Sequence, residues 1–449
     1  MKLDGLKKIY FVGIGGIGMS ALARYFNSLG IEIFGYDKVE TVLTKTLEQE
    51  GMKIHYEDNV SLIPNGIDLV VYTPAIPKTH QELTYFLEQG YPVKKRAEVL
   101  GIVSRNRKTI GVAGTHGKTT TSAILTHLLR TCGIDCTAFL GGIAENFNSN
   151  FVAGKSDWVV MEADEFDRSF LQLNPELAIV TSMDADHLDI YGNKEAMHQT
   201  FFDYVNQVNH TVYYKYDLPL KDRKKDHLQL ENYGIEEGGI RATNIRAEAP
   251  YFIFDWEGMG TVLKNLKFSL PGHHNVLNAT AAIAVAKQLN CEEDKIREAL
   301  LSFKGIKRRF EFKYTSANQV YIDDYAHHPE ELKAAIGAAR NLYPDRQITA
   351  VFQPHLYSRT KDFAQEFAAA LDALDEVILL DIYPARELPI EGVTSAIIFD
   401  KMQNKNKVLQ KKETLLETLA AKEIEVLMTL GAGDIGVLVP DIVKILAKN

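Results

Sequence analysis

Cysteine is scarce: the chain has three in 449 residues, Cys132, Cys136 and Cys291. Two lie close together around Gly133 and the third is far away. Neither a disulfide framework nor a zinc set is expected, and reduced thiols of a cytoplasmic protein are the simpler reading. Positive charge is also in deficit, since 50 Lys and Arg face 59 Asp and Glu for a net charge of -9. That argues against broad binding to nucleic acid or to an anionic membrane surface. No apolar run approaches the ~18 residues needed to cross a bilayer. The stretch after Lys7-Lys8 that ends in Ala21-Leu22-Ala23 mimics a secretion signal, but Gly13, Gly15, Gly16 and Gly18 interrupt it. A strand, loop and helix explain those glycines better. Sequence repeats and low-complexity segments are absent as well.

What is present is an alternation of strand and helix patterns over a length that suits roughly three domains. Strands are expected at Lys8–Val12, Glu32–Tyr36 and Leu69–Tyr72, with a helix at Met19–Leu29, which predicts a βαβ layout and a parallel sheet. A second unit opens near Lys108, with a strand at Thr109–Ala113 and a helix at Lys118–Arg130. Short apolar runs at Trp158–Met161 and Leu177–Thr181 fit strands buried on both faces. Residues 211–270 read as short β pieces, a small antiparallel insertion, before an Ala-rich helix at Asn275–Gln288. A third unit follows from Phe312, with strands at Val320–Ile322, Gln347–Phe352, Glu376–Leu380 and Val426–Leu430 and helices at Pro329–Arg340 and Thr360–Ala373. The expected fold class is therefore α/β, three units in series, the second a parallel sheet with a small antiparallel insertion. The domain limits are 1–103, 104–311 and 312–449.

The most informative motif is Gly114-Thr115-His116-Gly117-Lys118-Thr119-Thr120, between a strand and a helix. Its glycines let backbone amides curl around phosphate oxygens, and the helix N-terminus adds partial positive charge. Lys118 can reach the terminal phosphates, and Thr119 can place its hydroxyl on Mg2+. The spacing is tighter than GxxxxGK[ST], because Gly114 stands four residues before Lys118. A magnesium ion asks for hard oxygen ligands, and Glu162, Asp164, Glu165 and Asp167 supply four carboxylates after a strand, with Glu162 the best placed. His187, in Asp184-Ala185-Asp186-His187-Leu188-Asp189, is a second ligand candidate.

Gly13-Ile14-Gly15-Gly16-Ile17-Gly18 fits GxGxxG, and Asp37 stands 19 residues after Gly18. Alone, this pattern favours a dinucleotide-dependent dehydrogenase. A second nucleotide loop a hundred residues later fits a nucleotide-diphosphate carrier better. Further on, Asn275 and Asn278 can cap a helix or pair with an adenine edge. Lys307-Arg308-Arg309 offers guanidinium forks to phosphate. Asp323-Asp324-Tyr325-Ala326-His327-His328-Pro329 and Gln353-Pro354-His355-Leu356-Tyr357-Ser358-Arg359 place ionisable groups after strands, where chemistry is expected.

The strings GIGGIGMSALA, AGTHGKTTT, EADEFDRSF, DADHLDIYG, GHHNVLNA, IKRRFE, DDYAHHP and FQPHLYSRT stand in one order along the whole chain, which resembles the Mur ligases of bacterial peptidoglycan synthesis. The resemblance implies a Rossmann-like UDP-binding domain, a central P-loop ATPase-type domain and a C-terminal Rossmann-like domain, in an amide ligase that uses ATP and Mg2+ to activate a carboxylate as an acyl phosphate. It most favours the alanine-adding branch, with UDP-N-acetylmuramate and L-alanine as substrates, in a cytoplasmic monomer or weak homodimer. A ligase adding a preformed peptide during wall recycling is the alternative.

Carried over, the resemblance gives Gly13, Gly15, Gly16 and Gly18 to the UDP diphosphate, and Asp37, spaced like a ribose-binding acid, is counted with the same substrate. Gly114 to Thr120 go to ATP, and Thr119, Glu162 and His187 to metal. Asn275 and Asn278 meet adenine, and Arg309 the terminal phosphates. Asp324, Tyr325, His327, His355 and Arg359 surround the alanine or the adjoining side of ATP, with His327 or His355 the candidate base. Two departures stand out. Many relatives place a carbamylated lysine about fifteen residues after the metal histidine, whereas Ala196–Phe202 holds none. Relatives also often have Arg where this chain has Leu356, which leaves alanine's carboxylate to Arg359.

Overall fold

The computed structural model describes residues 5–184, 188–221, 228–248, 251–385 and 387–448, and only the backbone of 188 and 189. The chain divides into two compact units. One comprises Met1–Thr243, Trp256–Leu263 and Leu277–Leu300, and the other Asn244–Asp255, Lys264–Val276 and Leu301–Asn449.

The first sheet is five-stranded, with β1 (Lys8–Val12), β2 (Glu32–Tyr36), β3 (Lys53–His55), β4 (Leu69–Tyr72) and β5 (Val93–Lys95) in the order β3-β2-β1-β4-β5. All its pairs are parallel. The order reverses at β1, and the first glycine loop leaves from that strand's carboxyl end, where an open α/β sheet presents a crevice. Alternation divides β1 between two cores. Ile9 and Phe11 pack with Met19, Leu22 and Phe26 of the helix Ile17–Ser28, while Tyr10 and Val12 pack with Tyr36, Val70 and Phe86 on the other face. That helix starts two residues before the sequence pattern suggested, inside the glycine motif itself.

The second sheet holds ten strands: β6 (Lys108–Ala113), β7 (Thr137–Ala144), β8 (Ser149–Val152), β9 (Trp158–Ala163), β10 (Leu177–Val180), β11 (Thr211–Lys215), β12 (Gln229–Ile235), β13 (Ile240–Glu248), β14 (Tyr251–Gly258) and β15 (Thr261–Phe268). Their order is β15-β14-β13-β12-β11-β10-β6-β9-β7-β8. The β-rich stretch from 211 is continuous with the parallel sheet, since β11 pairs with β10, β12 with β11 and β13 with β12, all in parallel. An open edge at β10 would leave a row of backbone donors and acceptors unpaired, and these strands cover it. The centre of the sheet matters most for chemistry. β6 lies between β10 and β9, with Ala113 paired to Val180 on one side and to Ala163 on the other. Three neighbouring carboxyl ends therefore open side by side.

The third sheet belongs to the second unit. It contains β16 (Glu311–Thr315), β17 (Val320–Asp324), β18 (Ile348–Phe352), β19 (Glu376–Leu380), β20 (Lys407–Gln410) and β21 (Val426–Leu430), in the order β16-β17-β21-β18-β19-β20. Only β16, at the edge, pairs antiparallel. The helical pattern of residues 360–373 resolves into two helices, Tyr357–Asp362 and Ala364–Leu371, broken at Phe363.

Within the first unit, the glycine-loop region is tied to the ten-stranded sheet by side chains far apart in sequence. Arg24 donates to Asn150 on β8 and to Glu50. Lys95 pairs with Asp167 at 3.0 Å and Arg96 with Asp164 at 3.1 Å. Tyr25 sits against Phe139 and Phe151.

Candidate active site

The phosphate loop follows β6. Gly117 takes a left-handed conformation, φ +82°, immediately before the helix Lys118–Thr131, a geometry that favours glycine. A Cβ there would also lie 2.9 Å from Asn278 Oδ1. Gly114 is hemmed in more tightly, because a Cβ would fall 2.1 Å from Thr181 Oγ1. The loop is shaped by the end of the neighbouring strand. Ser182 Oγ accepts from His116 N at 2.7 Å and lies 2.9 Å from Thr115 Oγ1, which in turn accepts from Asp184 N at 3.1 Å. His116 Nε2 lies 3.7 Å from Asp184 Oδ2. Thr120 is buried in the first turn of the helix.

Lys118 is the centre of charge. Its Nζ donates to Gly114 O at 2.6 Å and to Glu165 Oε2 at 2.7 Å. Burial alone would discharge the amine, but Glu165, Asp164 and Glu162 outweigh it and hold the ammonium above its ordinary range. Glu165 was one of the three acids the sequence ranked behind Glu162, and the fold makes it the direct partner of Lys118. Glu162 serves differently. One of its oxygens accepts from Thr119 Oγ1 at 3.1 Å and the other from Gly141 N at 2.8 Å. A Cβ on Gly141 would lie 2.2 Å from that second oxygen. Burial pushes both Glu162 and Glu165 upward, with Lys118 only partly opposing it. A buried carboxylate and a hydroxyl side by side are hard oxygen donors short of positive charge, and so fit Mg2+. His187, the other metal candidate, lies outside the described residues. Among the described residues, no group of three His, Cys, Asp or Glu could hold a metal ion by protein ligands alone.

The first glycine loop has a different character. Gly13 N and Ile14 N both donate to Tyr36 O, Gly16 N donates to Gly13 O, and Gly15 N donates to Asp37 Oδ2 at 2.7 Å. A Cβ on Gly15 would meet Asp37 Oδ2 at 2.8 Å and Thr44 Cγ2 at 2.7 Å. The helix Ile17–Ser28 has no side-chain cap at Gly16 and no acid in its first turn. Arg96 NH1 lies against Gly18, where a Cβ would fall 2.1 Å from it.

In the second unit, the residues singled out after β17 and β18 converge. Arg309 NH1 lies 3.6 Å from Glu331 Oε1, and His327 Nδ1 lies 3.1 Å from Glu331 Oε2. The rings of His327 and His355 are 5.7 Å apart, and His355 stacks on Tyr383. Tyr325 lies near both Arg308 and Arg309, at 5.1 and 5.2 Å. Asp324 is structural in its contacts: its carboxylate accepts from Phe310 N and Ala326 N, both at 2.7 Å. Burial nevertheless pushes it up to about 6, against the pull of Arg309. Asn275 likewise spends its amide on Pro271 O at 2.6 Å. Arg359 stands on the short helix Tyr357–Asp362, entered through Leu356 at φ +71°. A leucine in that region is strained, the kind of outlier that gathers at functional sites.

Sequence reasoning did not reach Ser182, Gly141, Glu331 or Arg96. Ser182 alone had a usable signal, its place just past a buried parallel strand.

Three family models match: the Mur ligase family catalytic domain over residues 8–108, the Mur ligase middle domain over 112–286 and the Mur ligase glutamate ligase domain over 308–440. The UDP-N-acetylmuramate--L-alanine ligase of Flavobacterium johnsoniae is 49% identical over 455 residues, covering 100% of both chains. The enzyme of the same name from Porphyromonas gingivalis is 47% identical, covering 97% of this chain and 98% of its own. Among solved structures, the UDP-N-acetylmuramate-alanine ligase of Thermotoga maritima superposes with a TM-score of 0.85 at 30% identity, covering 98% and 99% of the two chains. A murein peptide ligase from Psychrobacter arcticus shares the fold, with a TM-score of 0.71 at 22% identity and 99% coverage of both.

Proposed function

The chain belongs to the Mur ligase family, and we infer that it joins L-alanine to the lactyl carboxylate of UDP-N-acetylmuramate while ATP becomes ADP and phosphate. The observation that carries this reading is the buried Lys118, held among Glu162, Asp164 and Glu165 at the carboxyl end of a parallel sheet. Such a site stabilises charge on a transferring phosphoryl group. Full-length relatives that bear the L-alanine ligase name supply the substrates.

A carboxylate oxygen of the lactyl group bonds to the γ-phosphorus as the bond to ADP breaks. Lys118 neutralises the phosphates from the loop, and Arg309 is assigned to their far side. Thr119 and Glu162 would hold Mg2+, His187 is assigned to a second Mg2+, and the metal would neutralise phosphate charge. The neutral amine of alanine then attacks the acyl carbon, the C–N bond forms, and phosphate leaves with the electron pair as the acyl C–O bond breaks. His327, oriented by Glu331, or His355 beside it takes the amine's proton. Arg359 is assigned to the alanine carboxylate and Tyr325 to the wall of that pocket.

Asn275 and Asn278 are assigned to adenine, and the loop from Gly13 to Gly18 to the UDP diphosphate. Accordingly, 1–103 is the UDP-sugar domain, 104–311 the ATP domain and 312–449 the amino-acid domain. The protein is placed in the cytoplasm as a monomer or weak homodimer, without nucleic-acid or membrane partners. Among the described residues, no helix is long and apolar enough to cross a membrane.

The test is phosphate release with alanine, glycine, serine, glutamate or tripeptide, each with and without UDP-N-acetylmuramate. Release that needs both alanine and the UDP-sugar is expected. Preference for the tripeptide would move the assignment to the recycling ligase.

A further inference from the structure

Arg96 joins two places the sequence keeps far apart. It opens the helix Arg96–Arg105 just after β5, and its guanidinium lies on Gly18 in the first turn of the helix Ile17–Ser28. Its other end donates to Asp164 Oδ2 at 3.1 Å, in the loop whose Glu165 holds Lys118. A guanidinium at a helix N-terminus adds positive charge to a positive dipole end, an arrangement that becomes favourable only when an anion joins it. The helix supplies none: its first turn carries no acid and its cap no side chain. Asp164 reaches Arg96 from the opposite side and is itself about one third exposed, at 35%. An exposed carboxylate is a weak and exchangeable partner. A diphosphate at the glycine loop presents denser charge and suits a planar guanidinium fork.

We propose that Arg96 is a substrate-binding residue, whose guanidinium leaves Asp164 to grip the diphosphate of the UDP-sugar at the Gly13–Gly18 loop. This rests on the reading of that loop as the diphosphate holder. It adds a side chain that reports occupancy of the UDP-sugar site to the acidic loop beside ATP. No bond is made or broken in the exchange.

The test uses the full-length protein as wild type, Arg96→Ala, Arg96→Lys and Asp164→Asn. UDP and UDP-N-acetylglucosamine, which carry the diphosphate without the lactyl carboxylate, are titrated calorimetrically, and KM is measured for each of the three substrates. Arg96→Ala is expected to weaken both probes about ten- to a hundredfold, the range of one charge-assisted contact. The KM for UDP-N-acetylmuramate should rise in step, while that for ATP stays within about threefold. Arg96→Lys should recover part of the loss, and Asp164→Asn should leave probe binding unchanged or tighter.

Normal probe binding by a folded Arg96→Ala would overturn the proposal. So would an equal loss in Asp164→Asn, which would make the pair a mere tether. Loss confined to UDP-N-acetylmuramate would shift Arg96 to the carboxylate and overturn the diphosphate assignment. Failure of the wild type to bind either probe would instead sink the reading of the glycine loop, a separable result.

Discussion

The two glycine-rich loops follow the same plan, strand then loop then helix in a parallel sheet, yet differ in everything added to it. The loop at Gly13–Gly18 is closed by backbone bonds and by Asp37, with no lysine in it. The loop at Gly114–Thr120 encloses Lys118 and three neighbouring acids, fixed from β9 and β10. Amides and a helix dipole suffice to hold a diphosphate that does not react. Moving a phosphoryl group needs a cation whose charge survives burial, and here carboxylates provide that.

The sharpest way to break this contrast is Lys118→Ala. It is expected to cut alanine-dependent phosphate release by on the order of 10³-fold or more, measured at saturating substrates. It also leaves buried acids uncompensated, so a lower melting temperature should accompany it. Near-normal turnover would erase the distinction between the loops.

Gly15→Ala probes the other side. The added Cβ collides with Asp37 and Thr44, so the KM for UDP-N-acetylmuramate should rise about tenfold, with kcat and the KM for ATP within about threefold. A collapse of kcat at unchanged KM would give the first loop a part in the chemistry.

The smallest effect concerns charge buried near the first loop but on the sheet face opposite its helix. The Tyr10 hydroxyl lies 2.6 Å from both Glu82 Oε2 and His55 Nε2, and Asn59 N donates to Glu82 Oε1 at 3.0 Å. Of these, the Tyr10 hydroxyl donates to Glu82 Oε2. Burial pushes Glu82 up to about 7. A carboxyl raised in the fold binds its proton more tightly than in the unfolded chain, so stability falls as pH rises from about 4.5 through about 7. Burial lowers His55 and His80, which act in the opposite sense and cost stability as pH falls. The melting temperature of Glu82→Gln minus that of the wild type should therefore climb between pH 5 and pH 8, a range set by these directions. A flat difference would mean that Glu82 is already ionised in the fold.

Much of this was legible in one dimension. The strands β2, β4 and β19 run where their apolar patterns ended, and the phosphate loop lies between strand and helix as its spacing required. The stretch after residue 211 was harder, because a short β pattern does not say which edge it will join. The break at Phe363 was hidden inside a continuous helical pattern.

Within the site, sequence determined what lies within a few residues: the loop, its lysine, its threonine and a nearby run of acids. Local spacing fixes these because strand, turn and helix geometry repeat from protein to protein. Only the tertiary structure decided that Glu165 faces Lys118 while Glu162 faces Thr119, that Ser182 shapes the phosphate loop, and that Arg96 bridges Gly18 and Asp164. Those contacts span 43 to 68 positions of chain where they are hydrogen bonds. Those around Lys118 and Thr119 exist because β6, β9 and β10 lie side by side, an order set by packing of the whole sheet rather than by any short stretch of sequence.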